Sequence, residues 1–405
     1  MKITILGRGS AGCLTALYYS YYTRNQSDVY IELIHDPDIP PEQVGQATVL
    51  EPPGLLWKAL GINWYDNPID ATPKLGILYE NWGKKNHKFF HPFPLNDITI
   101  HYTPSRLQDV ILDSGYFDVK EKHIKDYNHL DSDFIFDCRE RHTINQDDYN
   151  TLTSPVNSVL LAESDTKECD VNWTRAVATP DGWTFVIPKT TQNTSYGYLY
   201  NDEITSIEKA SSNFEKLFEL SKQNIEKKNH LKFENYIAKK PIIDDRIILG
   251  GNRLFFLEPL EATAIQTYLF WAQRTFWWLF GREECKGGES RPRYPEERSN
   301  PKFVTQELHK YISQLQNFIL WHYMFGSKYD TPFWKFAGNY EIVDDEFDNI
   351  IEAVKKFGLI DILDDQTDTG VIPHGYGQWR LWNFKNWYEG MNNFHTTWDE
   401  GMTND

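Results

Sequence analysis

The sequence predicts an α/β fold: a Rossmann-like βαβ core at the N-terminal end, a β-rich middle and a helical C-terminal part. Three observations predict it. The apolar run Lys2-Ile3-Thr4-Ile5-Leu6 leads straight into the glycine turn Gly7-Arg8-Gly9-Ser10-Ala11-Gly12, and that turn leads into a helical pattern. The span of about residues 75–200 is rich in alternating, strand-like segments. Beyond it, residues 302–325 and 344–357 read as helices.

Each element follows in order. Residues 2–6 form a short buried strand, Ala11 to Tyr22 the helix after it, and Val29 to Ile34 the second strand. Glycines between strand and helix let the backbone approach a pyrophosphate, whose charge then sits at the helix N-terminus. An acidic group is expected near the end of strand two to hold an adenosine ribose; this chain has His35-Asp36 there. Asp133 to Asp137 reads as a later strand of the same sheet, continuing into Cys138-Arg139-Glu140. Ile247-Ile248-Leu249-Gly250-Gly251-Asn252 reads as a returning strand, and Asn252 can donate and accept hydrogen bonds. That return comes more than 200 residues after the glycine turn, which favours FAD over a simple NAD domain. Residues 203–228 look helical, with Ile207, Ala210, Phe214, Leu217 and Phe218 on one face. The stretch from Cys285 to Pro301 reads as a linker, and the Gly/aromatic-rich tail from His374 to Trp398 as irregular. The expected division is residues 1–285, with the 75–200 region inserted as a substrate side, and a mainly helical module over 286–405.

Composition excludes several classes. A chain of 405 residues can hold one large α/β domain plus a smaller module. Its 14 Trp, 23 Tyr and 24 Phe suit large aromatic cores or a box for a planar ligand. A formal net charge of −17 without a long basic stripe argues against a nucleic-acid partner. Cys13, Cys138, Cys169 and Cys285 form no C-x-x-C pair, so no disulfide framework or metal site is expected, and a reducing compartment is the default. No apolar run reaches the roughly 20 residues that span a bilayer. The N-terminus reads as a strand rather than a signal sequence. A cytoplasmic protein without a membrane partner is the expectation.

Two further segments carry chemistry. Gly182-Trp183-Thr184-Phe185-Val186-Ile187-Pro188 places Trp183 and Phe185 on one face of a strand that Pro188 ends. Phe256-Leu257-Glu258-Pro259-Leu260-Glu261-Ala262-Thr263-Ala264-Ile265 follows the returning strand. With the glycine turn, and in this order, these segments resemble the marks of flavin-dependent halogenases, the group that includes the tryptophan halogenases. The resemblance implies an FAD-binding Rossmann-like domain of the flavin monooxygenase/halogenase type, with a β-rich substrate side and a helical C-terminal module. It covers roughly residues 1–340, and the short chain is similar to compact viral or broad-specificity members.

The resemblance also implies roles. Gly7, Gly9, Ser10, Ala11, Gly12, Asn252 and Ile265 would hold FAD, used as FADH2. Val44-Gly45-Gln46-Ala47-Thr48 resembles the strap joining flavin and substrate sites, which adds Gln46, Ala47 and Thr48 to the cofactor contacts. Thr263 and Ala264 would cradle the halide (chloride, bromide or iodide) with their backbone amides. Ala264 stands where the family has Gly, whose backbone freedom an Ala lacks. Lys74-Leu75-Gly76-Ile77, followed by Glu80-Asn81-Trp82, resembles the block with the catalytic lysine, and His91 and Phe93 match the pair that sandwiches the aromatic substrate. Trp183 and Phe185 would shield the flavin. The implied reaction uses reduced FAD from a separate flavin reductase and O₂ to make hypohalous acid. Lys74 receives that acid, and an indole- or phenol-like ring is halogenated with help from Glu261. A homo-oligomer is compatible with this reading. Two rivals remain: a flavin monooxygenase that hydroxylates an aromatic substrate, and a non-catalytic flavin-binding protein.

Overall fold

A computed structural model describes residues 1–40, 46–48, 52–63, 66–84, 88–93, 99–140, 146–164, 172–188, 194–220, 230–281, 283–284, 290–291, 300–358 and 375–392. Val44, Gly45, Cys169, Cys285 and most of the 285–301 stretch read as a linker lie outside them. The chain divides into two compact units. One comprises Met1–Pro73, Asp97–Leu152 and Asn235–Lys310; the other comprises Lys74–Asn96, Thr153–Glu234 and Tyr311–Asp405.

The first unit is built on a six-stranded sheet. Its order is Ile242–Ile243, Ile247–Leu249, Phe134–Asp137, Lys2–Leu6, Tyr30–His35, Asp118–Glu121, parallel except for the Ile242–Ile243 edge. Lys2–Leu6 lies mid-sheet with Ile3, Ile5 and Leu6 sealed from water, as a strand covered on both faces requires. Its one polar core residue, Thr4, donates its hydroxyl to Glu32 at 2.7 Å. The helix Ser10–Thr23 is buried along almost its whole length. Tyr18 and Tyr19 meet Phe276 edge to face, and the Tyr19 hydroxyl donates to Thr275 at 2.9 Å. These contacts tie the first helix to Thr263–Phe280. The predicted βαβ start and the returning strand are therefore both present, in one sheet.

After the Phe134–Asp137 strand this chain builds an ion-pair knot. Asp137 is 0% exposed and accepts from Arg139 Nε and Nη2 (both 2.8 Å), from the Tyr127 hydroxyl (2.6 Å) and from Arg253 Nε (3.1 Å). Burial alone would raise its pKa; the bonds from Arg139 and the charges of Arg139 and Arg253 outweigh that and lower it below the usual 3.8. Asp137→Ala strands two guanidinium groups and is expected to cost about 3–5 kcal/mol, measured by chemical denaturation. Because the folded carboxyl pKa is depressed, its contribution is intact above pH 3.8 and is lost as the pH falls through the folded value.

The second unit carries a seven-stranded sheet in the order His230–Lys232, Ser158–Ser164, Thr194–Tyr200, Gly182–Pro188, Thr174–Thr179, Gly76–Glu80, Lys88–Pro92. Every pairing is antiparallel except Thr174–Thr179 with Gly76–Glu80. One face packs Val186, Tyr196, Tyr198 and Tyr200 against Ala210 and Phe214 of the helix Ile207–Phe218. The span read as strand-rich also contains a helix, Pro104–Leu112, which belongs to the first unit.

Two local expectations are corrected. The helix expected over 203–228 starts only after Ser206, whose side chain accepts from the Lys209 amide, and stops at the left-handed Glu219 (φ 52°); residues 221–229 lie outside the described ones. The tail expected to be irregular folds into a short hairpin, Gly375–Tyr376 with Trp379–Arg380, and a helix, Leu381–Asn392. Leu381, Phe384 and Met391 sit at helical spacing and are buried, so the helix is held by tertiary packing rather than propensity. Among the described residues no helix is long and apolar enough to cross a membrane. Cys13 and Cys138 are free, buried thiols.

Candidate active site

In the first unit the glycines separate into two kinds. A Cβ on Gly12 would lie 2.0 Å from the Gly7 carbonyl oxygen, and one on Gly7 (φ 104°) would lie 2.9 Å from the Cys138 carbonyl oxygen. Those two positions demand glycine for packing. A Cβ on Gly9 would meet nothing within 4 Å. Gly9 is the N-cap of Ser10–Thr23, with no side-chain cap and no acidic residue in the first turn. The N-cap thus brings no side chain to the helix start, and Gly9 borders open space, as a pyrophosphate requires. Ser10 and Ala11 form the buried first turn, and Gly251 (φ 54°) comes so close that a Cβ there would meet Ala11 at 2.9 Å. Asn252 is exposed beside it, and its carbonyl takes the Tyr236 hydroxyl at 2.6 Å. These residues fit a dinucleotide such as FAD.

The strap residues are also placed. Gln46 and Ala47 pair with Tyr102 and His101, and the Thr48 amide donates to the Ile100 carbonyl at 2.8 Å. His35 ends its strand buried, while Asp36 already accepts from His123 Nδ1 and the Asp38 amide.

The Pro259 to Ile265 segment turns sharply. Glu261 (φ 73°) and Ala262 (φ 53°) are both left-handed, and the helix Thr263–Phe280 starts at once with no side-chain cap and no acid in its first turn. A left-handed residue followed by a right-handed helix aims successive N–H groups at one point, an arrangement suited to an anion. Thr263 and Ala264 supply the first two helical positions, and Ile265 is buried behind them. The conformational expectation for Ala264 is corrected here: it lies within the helix, and the position that favours glycine is Ala262. Ala262→Gly should relieve about 1 kcal/mol of backbone strain. Glu261 is buried on the same turn.

In the second unit Lys74, His91 and Phe93 come together. The Phe93 amide donates to the Leu75 carbonyl at 2.8 Å, which sets Phe93 beside Lys74. Lys74 is only 2% exposed, and its Nζ lies 5.0 Å from the Phe93 ring centroid, within cation–π range. Lysine is almost never this buried without a specific role or partner. The Asn81-Trp82 pair that follows shapes the end of the strand: Asn81 is left-handed (φ 65°), and the Trp82 indole N–H donates to the Ala176 carbonyl at 3.0 Å. Trp183 and Phe185 share a face as predicted, edge to face at 6.2 Å. Gly197, paired with Phe185, makes room for that ring: a Cβ there would lie 2.1 Å from it.

His91, matched with Phe93 to the pair that sandwiches the substrate, is itself enclosed. It is 0% exposed. Trp387 stacks on it at 3.8 Å and Trp382 lies nearly parallel at 5.6 Å. Asn383 and Asn386 meet its two ring nitrogens at 3.1 and 3.0 Å. All four come from the helix Leu381–Asn392, which the sequence reading took as irregular. Their signal was the helical spacing of Leu381, Phe384 and Met391. Phe93 and Trp382 remain half-buried and offer faces to a ligand.

Residues 2–106 and 99–397 match the tryptophan halogenase family model. The chain belongs to the tryptophan halogenase family. This halogenase-family chain is similar to the tryptophan 7-halogenase RebH of Lentzea aerocolonigenes, 22% identical over 82% of this chain and 78% of that protein. It is also similar to the tryptophan 6-halogenase ThaL of Streptomyces albogriseolus, 22% identical over 65% of this chain but spanning only 48% of that relative. In fold it matches the tryptophan halogenase structure from Shewanella frigidimarina with a TM-score of 0.77 at 16% identity, covering 98% of this chain and 90% of that one.

Proposed function

We propose that this member of the family halogenates an electron-rich, indole- or phenol-like ring, using FADH2, O₂ and halide, with a separate flavin reductase as its partner. The observation that carries the reading is the burial of Lys74 over the Phe93 ring. A lysine is normally a solvated surface charge, whereas this one sits in the interior over the Phe93 ring. Bound reduced FAD, with O₂, supplies the oxidising equivalent that turns halide into hypohalous acid. Gly7, Gly9, Ser10, Ala11, Gly12, Gln46, Ala47, Thr48, Asn252 and Ile265 would hold the cofactor, and the amides of Thr263 and Ala264 the halide. Lys74 hydrogen-bonds the hypohalous acid or becomes a haloamine. The substrate ring packs on Phe93 and Trp382, with His91 behind them. Glu261 stabilises the cationic ring or takes its proton. Trp183 and Phe185 keep organic molecules from the flavin.

A flavin monooxygenase is the rival reading, but direct hydroxylation leaves the buried lysine without a task. The test supplies the protein with a flavin reductase, FAD, NADH, bromide, and indole or phenol, and reads products by mass spectrometry. A brominated ring is expected; an added oxygen without bromine would favour the monooxygenase, and neither product would leave a binding protein. Glu261→Gln keeps size and removes charge, and should lower product formation by roughly 10²-fold while flavin oxidation continues. Full turnover in that variant would place the ring-side carboxylate elsewhere.

A further inference from the structure

The surroundings of His91 hold more than a packing role. Two amides meet its ring, and each also has a backbone partner. Asn386 Nδ2 donates to the Phe90 carbonyl at 3.2 Å, so the same NH₂ group faces His91 Nδ1. Asn383 Oδ1 accepts the Arg380 amide at 2.8 Å, so its NH₂ faces Nε2. Turning Asn386 over would set its oxygen against the Phe90 carbonyl, two acceptors together. Turning Asn383 over gives up only its bond from the amide of Arg380, an exposed residue at the helix start. The ring therefore accepts at Nδ1, and its proton belongs on Nε2, donated to a turned Asn383. A second proton at Nδ1 would point a donor at a donor.

We infer that Asn386, assisted by Asn383, is a positioning residue that holds His91 uncharged and in the Nε2–H form, flat against Trp387 and beside Lys74. The inference rests on the proposed role of Lys74 for its catalytic consequence, though not for the state of the ring. The charged or titratable groups acting on His91 are Lys74, from the neighbouring strand, and His322, from the helix Pro301–Met324. The helix Leu381–Asn392 faces it with amides and indoles, and Lys385 of that helix turns its ammonium to the Val354 carbonyl and Glu389. Burial first, then the charges of His322 and Lys74, push the His91 pKa well below 6.5, in the same sense as the amides. An uncharged ring adds no second positive charge beside Lys74.

The test is histidine-labelled NMR on the full chain, with Asn386→Asp as the variant. In the wild type the His91 signals should stay those of the Nε2–H tautomer from about pH 8 down to about pH 5. In Asn386→Asp the carboxylate accepts from Nδ1–H, so His91 should titrate near neutrality. Bromination of indole by that variant should then acquire a new acid-side ionisation, falling about tenfold per pH unit below it. Wild-type His91 titrating near its ordinary value, or an Nδ1–H tautomer, would overturn the inference even if the variant fails to fold. A variant pH profile that superimposes on the wild type would overturn it as well. Loss of the lysine role alone leaves the NMR result unchanged, so the two readings fail separately.

Discussion

Lys74→Ala should abolish halogenated product, a loss of at least about 10³-fold, while reduced FAD is still oxidised and O₂ still consumed at the wild-type rate. The reasoning is positional. Lys74 lies in the second unit, at the head of the Gly76–Glu80 strand, whereas the glycine turn and the uncapped helix start at Thr263 lie in the first. Flavin chemistry therefore draws on residues that the substitution leaves untouched. Lys74→Met serves as a volume-keeping companion, since deleting a buried side chain leaves a cavity that could loosen the Phe93 side. Lys74→Arg keeps the charge but replaces a compact amine with a planar fork, and should not rescue haloamine chemistry. The readout is product by mass spectrometry beside flavin absorbance in the same reaction. Undiminished bromination in either neutral variant would remove Lys74 from the mechanism.

The second large effect separates two glycines three residues apart. Gly12→Ala puts a methyl group 2.0 Å from the Gly7 carbonyl oxygen, and the turn must open to admit it. A loss of about 3 kcal/mol in unfolding free energy is expected, with flavin binding lost as a consequence. Gly9→Asp is the opposite case. Its side chain meets open space, and Asp is among the favoured N-cap residues, so the apo protein should be as stable as the wild type or gain up to about 1 kcal/mol. Yet the new carboxylate occupies the place a pyrophosphate needs and repels it, and FAD affinity should fall by at least about 10²-fold. Thermal melts without flavin and a flavin titration resolve the two. An unstable Gly9→Asp, or one that binds FAD normally, would mean that the turn serves the fold rather than a ligand.

Much of the first unit was legible because its signals are local. A buried strand, a glycine turn and a helix follow one another within residues 2–23, so the pattern is carried by contiguous chain even though its packing partners lie elsewhere. The Phe256 to Ile265 segment was legible for the same reason, although the strained positions are Glu261 and Ala262 rather than Ala264. The knot around Asp137 was not legible. In sequence the strand simply runs on into Cys138-Arg139-Glu140, and only the fold brings Arg253 and Tyr127 to the carboxylate that Arg139 already binds.

The sequence by itself determined the α/β class, the dinucleotide-type turn, the family resemblance and which residues could do the chemistry, because periodicity, backbone freedom and motif order are properties of contiguous chain. Tertiary structure alone decided which of those side chains are buried and what surrounds them. Lys74 became an interior side chain only through the packing around it. His91, read from sequence as part of a substrate sandwich, is enclosed because Asn383, 292 positions away, and the indole of Trp387 close on it. Burial and charge depend on what surrounds a group in space, and here those surroundings come from the far end of the chain.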